Sequence, residues 1–89
     1  MTDRLVRTSA DMVALWRDRI AELGLTHREV DHLAGWADGY CSKIMSGMRK
    51  PGAVTIGRMS AALAMAFVPI VDTEREAIVK SRWVKRRRT

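Results

Sequence analysis

The chain has 89 residues, which allows one small domain and excludes a second domain with its own core. Apolar residues make up 47% of it, and one cysteine excludes an intrachain disulfide. No apolar region of a signal peptide follows Met1, and the longest uncharged run, residues 59–71, is too short to span a bilayer. We therefore expect a cytoplasmic protein with no membrane association.

The net charge of +6 is concentrated at the C-terminal end. Residues 1–79 carry ten basic and ten acidic side chains, whereas residues 80–89 carry six basic ones and no acid. We therefore divide the chain into a domain at residues 1–79 and a basic tail at residues 80–89. Such a block of like charge either contacts nucleic acid or only aids solubility.

The first predicted helix is capped by Thr8 and Asp11 and ends at Gly24. Its apolar face comprises Met12, Leu15 or Trp16, Ile20 and Leu23.

The second predicted helix begins after Thr26, where Thr26 and Glu29 form a capping box. Gly35 ends this helix in a position that favours a left-handed backbone. Its apolar face comprises Val30, Leu33 and Ala34.

The third predicted helix follows after only a tight turn, and Asp38 can cap it. Gly47 ends the helix, and a basic loop leads to Pro51. The buried face comprises Cys41, Ile44, Met45 and Met48. Two short helices across such a turn are typical of a helix-turn-helix, here at residues 26–47.

A fourth helix is predicted from Val54 or Thr55, after the turn at Pro51 and Gly52. Its apolar face comprises Ile56, Met59, Leu63 and Ala66. Residues 67–71 are then rich in β-formers, and Pro69 restricts them to an edge strand or an extended segment. A last short helix is predicted at residues 75–84, after a cap at residues 72–74.

Catalytic chemistry finds little support in the sequence. His27, His32 and Cys41 lack the spacing of a zinc site, and no glycine-rich phosphate loop or nucleophile elbow is present. We interpret Cys41 as a small core residue. We therefore expect no enzyme, no bound metal and no cofactor.

The helix-turn-helix resembles the DNA-binding domain of the Cro/cI family of phage-type repressors, often called XRE-like. The resemblance rests on Gly24-Leu25-Thr26, Gly35-Trp36 and the run from Gly47 to Pro51, and with the flanking helices it covers roughly residues 9–66. It implies an all-α, compact, four- to five-helix lambda-repressor-like domain with a short extended C-terminal segment.

Three positions depart from the family pattern. His27 replaces the usual Gln, and Asp31 replaces a small Ala that packs on the recognition helix. Because burial of a lone carboxylate is costly, we expect Asp31 to reach solvent, His27 or Arg28. Ile20 and Met45 stand where many members have an Arg–Glu pair, an apolar exchange that is often neutral or stabilising.

The resemblance implies that the third helix lies in the DNA major groove. Asp38 then either accepts from cytosine N4 or caps the helix, and we favour the cap. Tyr40 either packs beside Ile44 or contacts a phosphate. The outward positions are Ala37, Asp38, Gly39, Ser42, Lys43 and Ser46. The candidate phosphate contacts are Thr26, His27, Arg28, Tyr40, Ser46, Arg49 and Lys50.

Together these features predict a sequence-specific double-stranded-DNA-binding transcriptional regulator, acting as a homodimer that represses by occupancy. Dimerisation is assigned to residues 67–84, with the interface formed by Phe67, Val68, Ile70, Val71 and Trp83, and with Ile78 and Val84 also available. Asp31 and Asp38 keep open an alternative, a protein-interaction module such as an antitoxin, antiactivator or adaptor. A nonspecific nucleic-acid binder driven by the tail is the third hypothesis.

Overall fold

The computed structural model describes residues 4–87, with side chains up to residue 82. It contains five helices and no strand within that range, which confirms the predicted all-α fold class. The helices are α1 (Ser9–Leu23), α2 (His27–Ala34), α3 (Tyr40–Met45), α4 (Ala53–Ala62) and α5 (Thr73–Arg87). Within this range no helix combines the length and the apolar character that crossing a bilayer requires.

The predicted cap of α1 is confirmed. The Thr8 hydroxyl accepts a hydrogen bond from the Asp11 N–H, and the Asp11 carboxylate accepts one from the Thr8 N–H, both at 3.1 Å. At the other end Gly24 has a φ of 67°, in the left-handed region, and its N–H donates to the last turn. Helix α1 therefore begins and ends where its local signals predict.

The core is formed by side chains of the first four helices and of Leu63, the C-cap residue of α4. Helix α2 packs against α3 and α4, and α1 packs against α3. Ile20 and Met45 are both buried in this core, as expected for the apolar exchange at those positions. The full set of buried apolar residues is Trp16, Ile20, Val30, Cys41, Ile44, Met45, Met59 and Leu63.

Four residues that we expected on apolar faces are exposed instead: Leu23, Leu33, Met48 and Ala66. Leu33 is 56% exposed because the buried side of α2 is centred between Val30 and Asp31, and at about 100° per residue Leu33 lies about 110° around the helix from that centre. Met48 and Ala66 lie beyond the ends of α3 and α4, where helical spacing no longer applies. Leu23 is the last residue of α1.

Helix α4 begins at Ala53, earlier than predicted, with Gly52 as its N-cap.

Two arginines of α1 donate hydrogen bonds to carbonyl groups at the C-terminal ends of α3 and α4. Arg19 Nε donates to the carbonyl oxygen of Leu63 at 3.0 Å, and Arg17 Nη2 donates to that of Met45 at 2.9 Å. These bonds satisfy carbonyl groups that a helix end leaves without an intrahelical partner.

The segment between α4 and α5 has no regular secondary structure. Asp72, at its end, is bonded by the Arg7 guanidinium, which lowers the pKa of the Asp72 carboxyl. Helix α5 starts at Thr73 and continues to Arg87, so it is longer than the predicted residues 75–84. The predicted boundary between residues 79 and 80 lies inside this helix.

Candidate nucleic-acid interface

The first turn of α2 is held by the predicted capping box. The Glu29 carboxylate accepts from the Thr26 N–H at 3.0 Å, and the Thr26 hydroxyl accepts from the Glu29 N–H at 3.1 Å. The bond from the Thr26 N–H is the main cause that lowers the pKa of Glu29. His27 and Arg28 follow Thr26 and are exposed on this turn.

The turn between α2 and α3 uses a left-handed glycine, as predicted. Gly35 has a φ of 74°, and its N–H donates to the end of α2. The next N–H, that of Trp36, donates to the carbonyl oxygen of Asp31 at 2.8 Å. This pattern closes the helix as a Schellman-type motif does and directs the chain back toward α2.

The structure contradicts our expectation for Asp31. Its side chain is 1% exposed and caps α3: Oδ2 accepts from the Gly39 N–H at 2.8 Å and Oδ1 accepts from the Cys41 N–H at 2.7 Å. Two backbone hydrogen bonds and the positive end of a helix compensate for burial of the carboxylate. Asp31 is therefore a structural residue of the motif, which the sequence reasoning missed.

The favoured role of Asp38, as the cap of α3, is wrong because Asp31 accepts the N–H groups at the start of that helix. The N-cap of α3 is Gly39, with a φ of 96°, and the Asp38 side chain makes no capping bond. Instead, the Asp38 carboxylate is 70% exposed and lies 3.4 Å from Arg28 Nη2. Ala37 is also exposed in this turn.

Helix α3 has one buried and one exposed side. Cys41, Ile44 and Met45 are buried, whereas Ser42, Lys43 and Ser46 are exposed. This division matches the predicted outward positions.

Ser42 of α3 and Ser46, the C-cap residue of α3, use their side chains within the motif. Ser42 Oγ lies 2.9 Å from His27 Nδ1, which links α3 to the start of α2. Ser46 Oγ donates to the Lys43 carbonyl oxygen.

Tyr40 is half-buried at the start of α3, where it packs against the core that contains Ile44 and against Trp36, with ring centroids 4.8 Å apart. Its hydroxyl lies 3.4 Å from Thr55 Oγ1. The Arg49 guanidinium lies over the same ring, 5.9 Å from its centroid, within cation–π distance. Tyr40 thus joins the turn, α4 and the basic loop.

Residues 39–71 contain four basic side chains and no acidic one. Lys43, Arg49 and Lys50 are exposed, and none has a carboxylate within 4.0 Å among the residues whose side chains are described. In contrast, Arg28 is paired with Asp38. Three of the four basic residues of this stretch therefore lie unpaired on α3 and on the loop that follows it, and the fourth, Arg58, is exposed on α4.

Chemistry other than binding has few candidate groups here. Within the described part of the chain, no three His, Cys, Asp or Glu residues lie close enough to hold a metal ion. Burial, and to a smaller extent Asp31, raises the pKa of the Cys41 thiol to about 11. The Cys41 thiol is thus protonated at neutral pH, and its complete burial agrees with its interpretation as a core residue.

The residues predicted for dimerisation are exposed where they can be described. Val68 is 82% exposed, and Phe67, Ile70 and Val71 also present apolar surface. Ile78 is exposed on α5. The predicted contributions of Trp83 and Val84 lie outside the residues whose side chains the structure describes.

No family model, curated protein or solved structure matches this chain. The similarity of residues 24–51 to the Cro/cI pattern stays a prediction from the motif.

Proposed function

We propose that this protein is a sequence-specific, double-stranded-DNA-binding transcriptional regulator of the Cro/cI type. The observation that carries the proposal is that α3 is amphipathic. Its apolar side is buried in the core, whereas Ser42 and Lys43 are exposed on the other side. A helix held in this way can enter the major groove, where hydroxyl and ammonium groups can bond base edges. The proposed site of action is the cytoplasm.

The cations around α3 supply the proposed phosphate contacts. Lys43, Arg49 and Lys50 have no described carboxylate partner, so their charges remain free to neutralise phosphates. The first turn of α2 adds the backbone N–H groups of His27 and Arg28 at a positive helix end, beside the Thr26 N–H that donates to Glu29. Tyr40 holds Arg49 at the edge of this surface.

We propose that the protein acts as a homodimer and represses by occupying its site. One copy of α3 offers few long polar side chains, whereas two copies can contact half-sites about one helical turn apart. The exposed apolar residues of the segment 67–71 are the candidates for the contact between the copies.

A protein-interaction module, such as an antitoxin or adaptor, is the second candidate. It is favoured by an open depression beside the Arg28–Asp38 pair, where apolar and charged groups are mixed as at many protein interfaces. The lining residues are Leu25, Thr26, Arg28, Glu29, His32, Leu33 and Asp38. Asp31 no longer supports this candidate, because its carboxylate is used inside the fold.

The experiment that tests the proposal is a binding assay with fragmented genomic DNA and increasing amounts of nonspecific competitor DNA. A sequence-specific regulator retains a small set of fragments when competitor is in large excess. Release of all fragments at the same competitor concentration would instead indicate a nonspecific binder driven by the basic tail. Absence of binding even at low salt would leave the protein-interaction module as the better hypothesis.

A further inference from the structure

Asp38 is the one charged side chain in the turn at residues 35–39, between Ala37 and Gly39. Its carboxylate is exposed, and it is not consumed in capping because Asp31 already accepts from the Gly39 and Cys41 N–H groups. Gly39 has no side chain that could screen it. An acceptor group therefore projects at the N-terminal end of α3 with hydrogen-bonding capacity to spare.

Arg28 supplies the charge that such a carboxylate needs near DNA. A lone carboxylate is repelled by phosphates, but Arg28 Nη2 lies 3.4 Å from Asp38 Oδ2 and belongs to a different helix, α2. Both side chains are largely exposed, so the pair contributes little to folding stability. Its electrostatic effect becomes larger where a bound duplex displaces water from around it.

The base edges of the major groove differ in whether they present a hydrogen-bond donor or an acceptor to a carboxylate. A carboxylate can only accept, and cytosine presents its N4 amino group as a donor. Guanine O6 and N7 and thymine O4 are acceptors that repel it, and adenine sets the acceptor N7 beside its N6 amino group. Cytosine is therefore the base that a fixed carboxylate favours.

Resting on the proposed DNA binding, we infer that Asp38, held by Arg28, is a specificity-determining residue that accepts a hydrogen bond from the N4 amino group of a cytosine. The same carboxylate excludes guanine and thymine from that position. Asp38 thus contributes discrimination, while Arg49 and Lys50 contribute affinity that does not depend on sequence.

Selection from a random duplex library tests this inference with the full-length wild-type protein and the variant Asp38→Asn. Wild type is expected to enrich cytosine at one position of each half-site, with about tenfold loss of affinity when that base is changed. Asn can bond N6 and N7 of adenine, so Asp38→Asn should enrich adenine at the same position. Asp18→Asn on α1 removes the same charge and should select the wild-type sequence.

The outcomes separate the inference from the proposed function. If wild type selects a sequence and Asp38→Asn selects the same one, Asp38 does not determine specificity, although DNA binding stands. If wild type binds no DNA, both proposals fail. Arg28→Gln should bind all DNA more weakly and reduce the discrimination at the cytosine position. Unchanged discrimination in that variant would overturn the role of Arg28 in holding Asp38.

Discussion

The Asp31 carboxylate and the Cys41 N–H are joined by a hydrogen bond of 2.7 Å that runs from the middle of α2 to the first turn of α3. The other oxygen of Asp31 accepts from Gly39. Because both bonds come from one buried side chain, the orientation of α3 relative to α2 depends on it. A helix of only six residues has little stability of its own and needs such a contact.

Replacing Asp31 by Ala should destabilise the fold. Two backbone N–H groups would lose their acceptor in a buried site, so we expect a loss of roughly 1–3 kcal/mol in the free energy of unfolding. Urea denaturation followed by circular dichroism measures it. Asp18→Ala, at an exposed position of α1, is the control and should change stability little. Equal stability of both variants would contradict the structural role of Asp31.

Replacing Arg49 and Lys50 by Ala should weaken DNA binding without a change in sequence preference. Each lost phosphate contact makes the negative slope of log K against log salt concentration shallower by about one unit. A salt titration by fluorescence anisotropy gives that slope, with Arg4→Ala on the N-terminal segment as the control. Ser42→Ala and Lys43→Ala should instead alter which sequence is preferred. Wild-type affinity in the Arg49/Lys50 double variant at moderate salt would contradict the proposed interface.

Tyr40 should act on DNA affinity through Arg49. Tyr40→Phe keeps the ring beneath the guanidinium, so its affinity should stay close to that of wild type. Tyr40→Leu removes the cation–π contact and should weaken binding about three- to fivefold. In an Arg49→Ala background the same Leu substitution should have no further effect. A full additional loss there would show that Tyr40 acts independently of Arg49.

Introducing charge into the segment 67–71 should separate the proposed dimer. Val68→Asp or Ile70→Asp should yield monomers by analytical ultracentrifugation and lose tight operator binding, with helical content unchanged. Val54→Asp is a matched control, since Val54 is a 73% exposed aliphatic residue on α4. A wild-type protein that sediments as a monomer at micromolar concentration would rule this interface out.

Acid should destabilise the protein through its helix caps. The pKa values of Asp11 and Glu29 are lowered by hydrogen bonds from the Arg7 and Thr26 N–H groups respectively. Because the folded state lowers these pKa values, their stabilisation is present above the unfolded pKa, about 4, and is lost as pH falls through the folded value. Thermal unfolding across pH 2–7 tests this expectation.

Glu29→Gln gives a sharper test, because Gln can keep the capping bond but does not titrate. Its stability should fall less steeply in acid than that of wild type. Glu22→Gln removes the same charge away from a cap and should follow the wild-type curve. Identical acid profiles for Glu29→Gln and wild type would contradict the capping contribution.

The helix limits that were predicted well depend on local signals. The capping boxes at Thr8 and Thr26 and the left-handed turns at Gly24 and Gly35 each involve residues within a few positions of one another. Residue type and spacing therefore determine the helix limits, and the succession of helices between these limits gives the all-α class. The resemblance to a family added no information needed for these limits.

Around the turn between α2 and α3, the contacts that were not predicted include pairs of residues eight to ten positions apart on different elements. Asp31 bonds Gly39 and Cys41, and Arg28 pairs with Asp38. A carboxylate inside a helix can face solvent or the core, and only the packing of the neighbouring helix decides which. Leu33, which we expected to be buried, is exposed for the same reason, because burial of Asp31 shifts the buried side of α2 away from Leu33.

The acid-free stretch of residues 39–71 has a kinetic consequence. The first 79 residues are neutral in sum, but this stretch is positive and the remaining part of them is negative. The positive charge of this stretch adds to the six positive charges of residues 80–89, so a polyanion attracts the protein before the two are in contact. Added salt would slow the encounter by screening that attraction.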